Sequence, residues 1–311
     1  MVLMTSTRAW LAALVAVSLA AVTAFTSAYA DSGPASHAEL PPGMTAAYVL
    51  FDRASGSVAT QLNQTKQFRS ASLIKLLIAL DYLNTQGSLD AVPDSDRAAL
   101  QSMLRSSDDV AARNFWQGAG RTQVIDRMVA KLDLKHTAPP ADPDFWGYTA
   151  LSASDVVKIY QYLLSGDEQG FGEFILDNLH QSTRCALDGR NQYFGIPAAV
   201  PPPFGVKQGW SGFGDTPAGQ ECSPIESAQL KAASGAEAPN GVTPLAAGSN
   251  PGPNIDLKSP LLHTSGLVDD DSKILVVLTL YPAQTSWEDA AAQITKLTKS
   301  VYRSGAQSSK A

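Results

Sequence analysis

Apolar and polar positions alternate at strand spacing near both ends of the chain and at helical spacing between them. Thr45 to Phe51 reads as a strand, Ala54-Ser55-Gly56 as a turn and Ser57 to Leu62 as the returning strand of a hairpin. Ser72 to Asn84 reads as a helix ending at Gln86-Gly87, a C-cap pair. From Asp94 to about Leu164 the period is helical, broken by Gly118-Ala119-Gly120 and by a loop from Pro139-Pro140 to Gly147. Strands return at Phe204 to Trp210 and at Ile274 to Tyr281, the second a near-continuous apolar run. Ser286 to Tyr302 is a final amphipathic helix. This order predicts an α+β fold: an antiparallel sheet built from both chain ends, flanked by helices, with an inserted all-helical lobe.

Two segments stand apart from the pattern. Arg8, the apolar run Trp10 to Phe25 and the small residues of Ala28-Tyr29-Ala30 read as a signal peptide over residues 1–30, cleaved before Asp31. The alternative is a retained anchor, but a run this short is marginal for spanning a bilayer. No cysteine follows the run, so it does not read as a lipid-attachment site. From Gly214 to Pro260 there is no aromatic residue, and Gly, Pro, Ala and Ser dominate, which reads as a flexible insertion. The expected organisation is a signal peptide at 1–30, a tether at 31–44, one domain over 45–303 and a tail at 304–311. Within the domain, 45–90 and 200–303 form an α/β lobe, 91–199 a helical lobe and 214–260 the insertion.

Composition narrows the function. At 311 residues and 44% hydrophobic, the chain can bury a sizeable core. Its net charge is −6; loss of Arg8 leaves 22 basic against 29 acidic residues, or −7. That argues against a nucleic-acid partner. Cys185 and Cys222 are the two cysteines, and export permits a disulfide between them, the alternative being two buried thiols. With four scattered histidines they offer no metal-site spacing, so neither metal nor cofactor is expected.

The helix from Ser72 is apolar almost all round, and Lys75 lies inside it. Asp81 and Asn84, its other polar residues, fall roughly 120° and 180° away from Lys75, while Ser72 shares the lysine's face. A buried ammonium needs a reason. One reason is chemical: a lysine whose pKa is lowered by burial and neighbouring charge accepts a proton and activates the hydroxyl one turn away. The other is structural: Ser72 caps the helix and Lys75 snorkels to solvent.

Two further elements follow in order. Ser107-Asp108-Asp109 lies 35 residues downstream and alone is an ordinary helix start. Lys207-Gln208-Gly209 ends a strand, with a glycine that would admit a substrate backbone. S-x-x-K, S-D-N and K-T-G in this order mark class A β-lactamases and penicillin-binding proteins. With Phe68 ahead of Ser72, Thr149 to Leu164 after the loop, Phe194-Gly195-Ile196 and His263-Thr264-Ser265-Gly266, the chain resembles the class A β-lactamase-like branch of the penicillin-recognising superfamily.

The resemblance implies an acyl-enzyme on Ser72, with Lys75 as base and Ser107 relaying a proton to the leaving nitrogen. Lys207 would orient Ser107 and the substrate carboxylate, and the backbone N–H groups of Ser72 and Trp210 would form the oxyanion hole. Asp109, Gln208, Gly209 and Trp210 would line the substrate, a β-lactam or a peptidoglycan stem peptide. Three positions depart from the family. Asp109 replaces an Asn and can pair with Lys75. Gln208 replaces the hydroxyl residue that contacts the substrate carboxylate. The stretch Thr137 to Thr149 lacks the Glu that activates the deacylating water; Asp142 and Asp144 are the candidate replacements, or else merely cap turns around Pro143. A catalytically degenerate envelope protein with a binding role stays open beside the enzyme.

Overall fold

The structure, a computed structural model, describes residues 40–166, 169–216, 222 and 253–308, with side chains through 305. The signal-peptide segment, residues 31–39 of the tether, most of the 214–260 insertion and the last three residues of the tail lie outside the described residues.

Five strands form one antiparallel sheet: β1 (Thr45–Asp52), β2 (Ser57–Leu62), β5 (Gly205–Ser211), β6 (Leu261–Val268) and β7 (Lys273–Leu280), in the order β2-β1-β7-β6-β5. First and last strands are neighbours, so both chain ends build the sheet, as the pattern implied. β3 (Gln67–Arg69) and β4 (Ala150–Ser152) pair separately; at three residues each they are too short to show a period. β6 also escaped the sequence reading. Its polar residues His263, Thr264 and Ser265 are buried, so the strand does not alternate.

The sheet is covered on both faces, which explains the unbroken apolar run of β7. Ile274, Val276 and Leu278 join the core shared with α1 (Lys75–Gln86), α2 (Asp94–Arg105), α3 (Asp109–Gly118), α4 (Gln123–Leu132), α5 (Ala153–Leu164) and α6 (Phe171–His180). Leu275 and Val277 face the opposite core with the short α7 (Ile196–Ala199) and α8 (Trp287–Ser308).

Helix α1 is the hub of the first core: Leu76, Leu77, Ile78, Leu80 and Leu83 are all buried. Truncating one such leucine to alanine typically costs about 2–5 kcal/mol. Asp81 is buried as well, held by two bonds from Arg127 of 2.8 and 2.6 Å. Gly87 ends the helix at φ 78°, a left-handed conformation suited to glycine. The helix starts later than the pattern suggested. Ala71–Ile74 is a 3₁₀ turn, so Ser72 lies in the turn that leads into α1.

Candidate active site

Three backbone segments meet at the N-terminal end of α1. The 3₁₀ turn carries Ser72 and delivers Lys75 to the first position of α1, both buried. The connection from α2 to α3 carries Ser107, and the edge strand β5 carries Lys207. Two residues here have left-handed backbones that non-glycine residues rarely adopt: Ala71 at φ 44° and Ser107 at φ 57°. Each costs of order 1–3 kcal/mol and persists only where its surroundings enforce it. Asp108, between Ser107 and α3, caps the helix by accepting from Val110 N and Ala111 N.

The Ser107 hydroxyl stands between two ammonium groups. Lys75 Nζ lies 3.1 Å from Ser107 Oγ, and Lys207 Nζ 3.0 Å from the same atom. Lys75 also donates to Ser107 O at 2.7 Å and to Asp109 Oδ1 at 2.5 Å. An ammonium has three donors, and these contacts use all of them. Ser72 Oγ makes no hydrogen bond among the described residues, so the nucleophile and its lysine are not joined directly. The pKa of Lys207 is well below the usual lysine value, because it is buried and because Lys75 lies nearby; Asp109 and Asp188 partly offset this.

Two expected substrate contacts are spent inside the protein. Gln208 points away from Lys207, as strand alternation requires, and its amide donates to Gln192 O at 3.0 Å and Phe194 O at 2.6 Å. It is buried and does not present a donor to a substrate carboxylate. Gly209 admits a close backbone, but the backbone is the protein's own. A Cβ there would lie 3.3 Å from Ser70 O and Ser72 N. The strand therefore seats directly against the nucleophile turn.

The loop residues Asp142 and Asp144 are committed elsewhere. Asp142 Oδ1 accepts from Asp144 N at 2.9 Å, an Asx turn around Pro143, and Asp144 pairs with Arg121 at 2.9 Å. The same loop reaches Lys75 through Trp146, whose ring centroid lies 4.9 Å from the ammonium.

Asp188 escaped the sequence reading, since a single acid in a loop carries no pattern. Its neighbour Leu187 donates to Ser106 O at 3.0 Å, and Asp188 Oδ2 accepts from Trp210 Nε1 at 2.8 Å. It thus bridges the Ser107 connection and the end of β5. The residue as a whole is exposed, but protein crowds its carboxyl, and this desolvation raises its pKa. The Asp109 charge adds to the rise, while the Arg190 N–H, the Trp210 indole and the Lys75 charge oppose it. The disulfide Cys185–Cys222 is formed beside it, and Cys222 N donates to Gly189 O at 2.9 Å.

Comparison with known proteins places the fold. PBP-A superposes with a TM-score of 0.55 at 14% identity, over 86% of this chain and 92% of that one. A class A β-lactamase from Mycobacterium abscessus gives 0.55 at 16% identity, over 84% and 94%. A β-lactamase from Xanthomonas campestris pv. campestris gives 0.55 at 11%, over 84% and 91%. The chain has the β-lactamase/penicillin-binding-protein-like fold. No family model matches it. In sequence it is similar to proteins of Mycobacterium tuberculosis and Mycobacterium bovis named "Putative lipoprotein LppW", 38% identical over 174 residues. That covers 54% of this chain and 54% of theirs, so the chain spans about half the length of the curated relatives it matches.

Proposed function

We propose that the protein is an exported serine acyl-hydrolase that forms an acyl-enzyme on Ser72 with a β-lactam or D-alanyl-peptide-like substrate and releases it slowly. The observation that carries this reading is the convergence of two buried lysine nitrogens on one hydroxyl, Ser107 Oγ, at 3.1 and 3.0 Å. Burying an ion costs several kcal/mol, and a core gains nothing from two like charges side by side. A proton path does. In this reading Ser72 Oγ bonds to the acyl carbon as its proton passes to a lysine nitrogen of the site. Ser107 then hands its proton to the leaving nitrogen as the C–N bond breaks, and takes one back from the lysine beside it. The lowered pKa of Lys207 supports the pair, rather than Lys75 alone, as proton acceptor. The seating of β5 on the Ser72 backbone supports an oxyanion hole of the Ser72 and Trp210 N–H groups. Slow release follows from the commitments of Asp142 and Asp144. The apolar N-terminal run, the disulfide and the lipoprotein name of the mycobacterial relatives favour an envelope location. No helix among the described residues is long and apolar enough to cross a membrane.

Intact mass spectrometry after incubation with benzylpenicillin tests the reading. A persistent adduct that Ser72→Ala abolishes is expected; a folded protein with no adduct overturns it. One contact favours the second reading, a degenerate envelope protein with a binding role: Asp109 takes the third donor of Lys75, leaving none toward Ser72.

A further inference from the structure

Ser107 holds a left-handed backbone, φ 57°, which its surroundings must enforce. The loop from Thr183 to Gln192 bonds the two carbonyls that precede it. Leu187 N donates to Ser106 O at 3.0 Å, and Thr183 N donates to Arg105 O at 3.0 Å. Gln192 adds a second bond to the carbonyl that Thr183 already serves: its Nε2 donates to Arg105 O at 2.8 Å and to Thr183 O at 2.6 Å. Its backbone N–H donates to Arg184 O at 2.9 Å, and its carbonyl accepts from Gln208 Nε2 at 3.0 Å. Gln208 follows Lys207 on β5. One residue, 3% exposed, thus joins the chain two residues before Ser107 to the strand one residue after Lys207. Burying a glutamine freezes a flexible side chain. Arg105 O has a donor without it, so this second bond adds position rather than satisfaction.

From this convergence we infer that Gln192 is a positioning residue. Its amide and carbonyl hold the Ser107 connection and β5 in one grip, and so set the Ser107 hydroxyl 3.1 Å from Lys75 Nζ and 3.0 Å from Lys207 Nζ. The inference deepens the acyl-serine reading and rests on it for the consequence in rate, while the geometry stands apart from the chemistry. A proton passed along Ser107 needs both contacts at hydrogen-bond length, and a misplacement of about 1 Å can cost about 10²-fold in rate. Gln192 bonds to none of the side chains of Ser72, Lys75, Ser107 and Lys207, so it acts only through the backbone that carries them.

Two variants of the full chain test it. Gln192→Met keeps the length of the side chain and removes both donors. Gln192→Glu keeps the shape and has one donor only while its carboxyl is protonated. Time-resolved intact mass spectrometry with benzylpenicillin reads acylation of Ser72. The Cα and Cβ NMR shifts of Ser107 read its backbone conformation, and circular dichroism reads folding. The expected result for Gln192→Met is a folded protein acylated at least about tenfold more slowly, in which Ser107 has lost its left-handed shifts. For Gln192→Glu the rate relative to the parent should be highest at acid pH and fall as the introduced carboxyl ionises, a trend that a merely structural loss would not produce. An unchanged rate in folded Gln192→Met, a rate ratio for Gln192→Glu that is flat with pH, or unmoved Ser107 shifts overturns the inference. Failure of both variants to fold also overturns it, since Gln192 would then be a residue of stability; if Gln192→Met alone fails to fold, Gln192→Glu decides. No adduct on the parent or on either variant overturns the acyl-enzyme reading instead, and the Ser107 shifts then decide the positioning on their own.

Discussion

Asp109 Oδ1 lies 2.5 Å from Lys75 Nζ, with the lysine fully buried and the carboxylate more than half exposed. The pair occupies the donor that would otherwise be free to face Ser72. An asparagine there would accept a weaker hydrogen bond and carry no charge. Asp109→Asn should therefore accelerate acylation of Ser72 by benzylpenicillin at least about tenfold, a modest share of the 10²–10⁴ that a positioned base supplies. Time-resolved intact mass spectrometry reads the rate directly. An unchanged or slower rate means that Asp109 does not restrain Lys75.

Lys207 illustrates a conflict between stability and chemistry. Its pKa lies well below the lysine value of 10.5, first through burial and then through Lys75. Between its folded value and 10.5 the unfolded chain binds the extra proton, so stability rises with pH across that window. At neutral pH the lysine still carries a cost, either of burying its charge or of giving up the proton it holds in the unfolded chain. Lys207→Met should relieve it and stabilise the protein by about 1–3 kcal/mol, while adduct formation on Ser72 is lost. Chemical denaturation at pH 7 checks the first outcome and mass spectrometry the second. A destabilised Lys207→Met would mean that the attraction of Asp109 and Asp188 outweighs desolvation.

The hairpin, the hub helix and the last strand were legible in the sequence because each carries an apolar period set by one buried face or two. β6 was not, because polar residues such as His263 and Thr264 stay inside by hydrogen bonding rather than by hydrophobicity. Ser72, Lys75, Ser107 and Lys207 could be picked out as a set by motif order. Side-chain direction was beyond that reading. Nothing in the sequence says that Gln208 turns toward Phe194, that Gly209 receives the Ser72 backbone, or that Trp146 covers Lys75. Asp188 gains its place from tertiary contacts: its neighbour's bond to Ser106, the Thr216 hydroxyl's bond to its carbonyl and the Trp210 indole's bond to its carboxylate.

The disulfide Cys185–Cys222 closes a sequence separation of 37 residues next to the Asp188 rim. Chain-entropy arithmetic for such a loop gives about 4 kcal/mol. Reduction, or Cys185→Ser with Cys222→Ser, should lower stability by up to that amount. It should also loosen the rim, because Cys222 N no longer holds Gly189 O so firmly. Denaturant midpoints with and without reductant measure the first effect. Tryptophan fluorescence, through the Trp210–Asp188 contact, reports the second. Midpoints that coincide would show that the cross-link contributes nothing.

His263 is fully buried on β6, and it ties the sheet to the chain just ahead of the nucleophile turn. Its Nε2 lies 2.9 Å from Arg69 O, while its Nδ1 lies 2.9 Å from Leu262 O and 3.2 Å from Thr279 N, so both ring nitrogens are held by backbone groups. Arg69 O is thereby anchored three residues before Ser72. Burial lowers the imidazole pKa from 6.5 to about 4, with the nearby Arg69 charge a smaller contribution. A folded-state value below the unfolded one means that the unfolded chain takes up the proton first as pH falls. Stability from this residue is therefore complete above pH 6.5 and drains away down to about pH 4. The slope approaches 1.4 kcal/mol per pH unit, or about 3 kcal/mol over the window. His263→Gln should be less stable than the parent at pH 7, through loss of the tie to Arg69, yet should lose less of what remains on acidification. Urea unfolding at pH 7, 5.5 and 4.5 for both proteins gives the comparison. Carboxylates common to both contribute equally and cancel in the difference. Parallel pH profiles would mean that His263 does not titrate differently on folding, and the acid sensitivity would then belong to other groups.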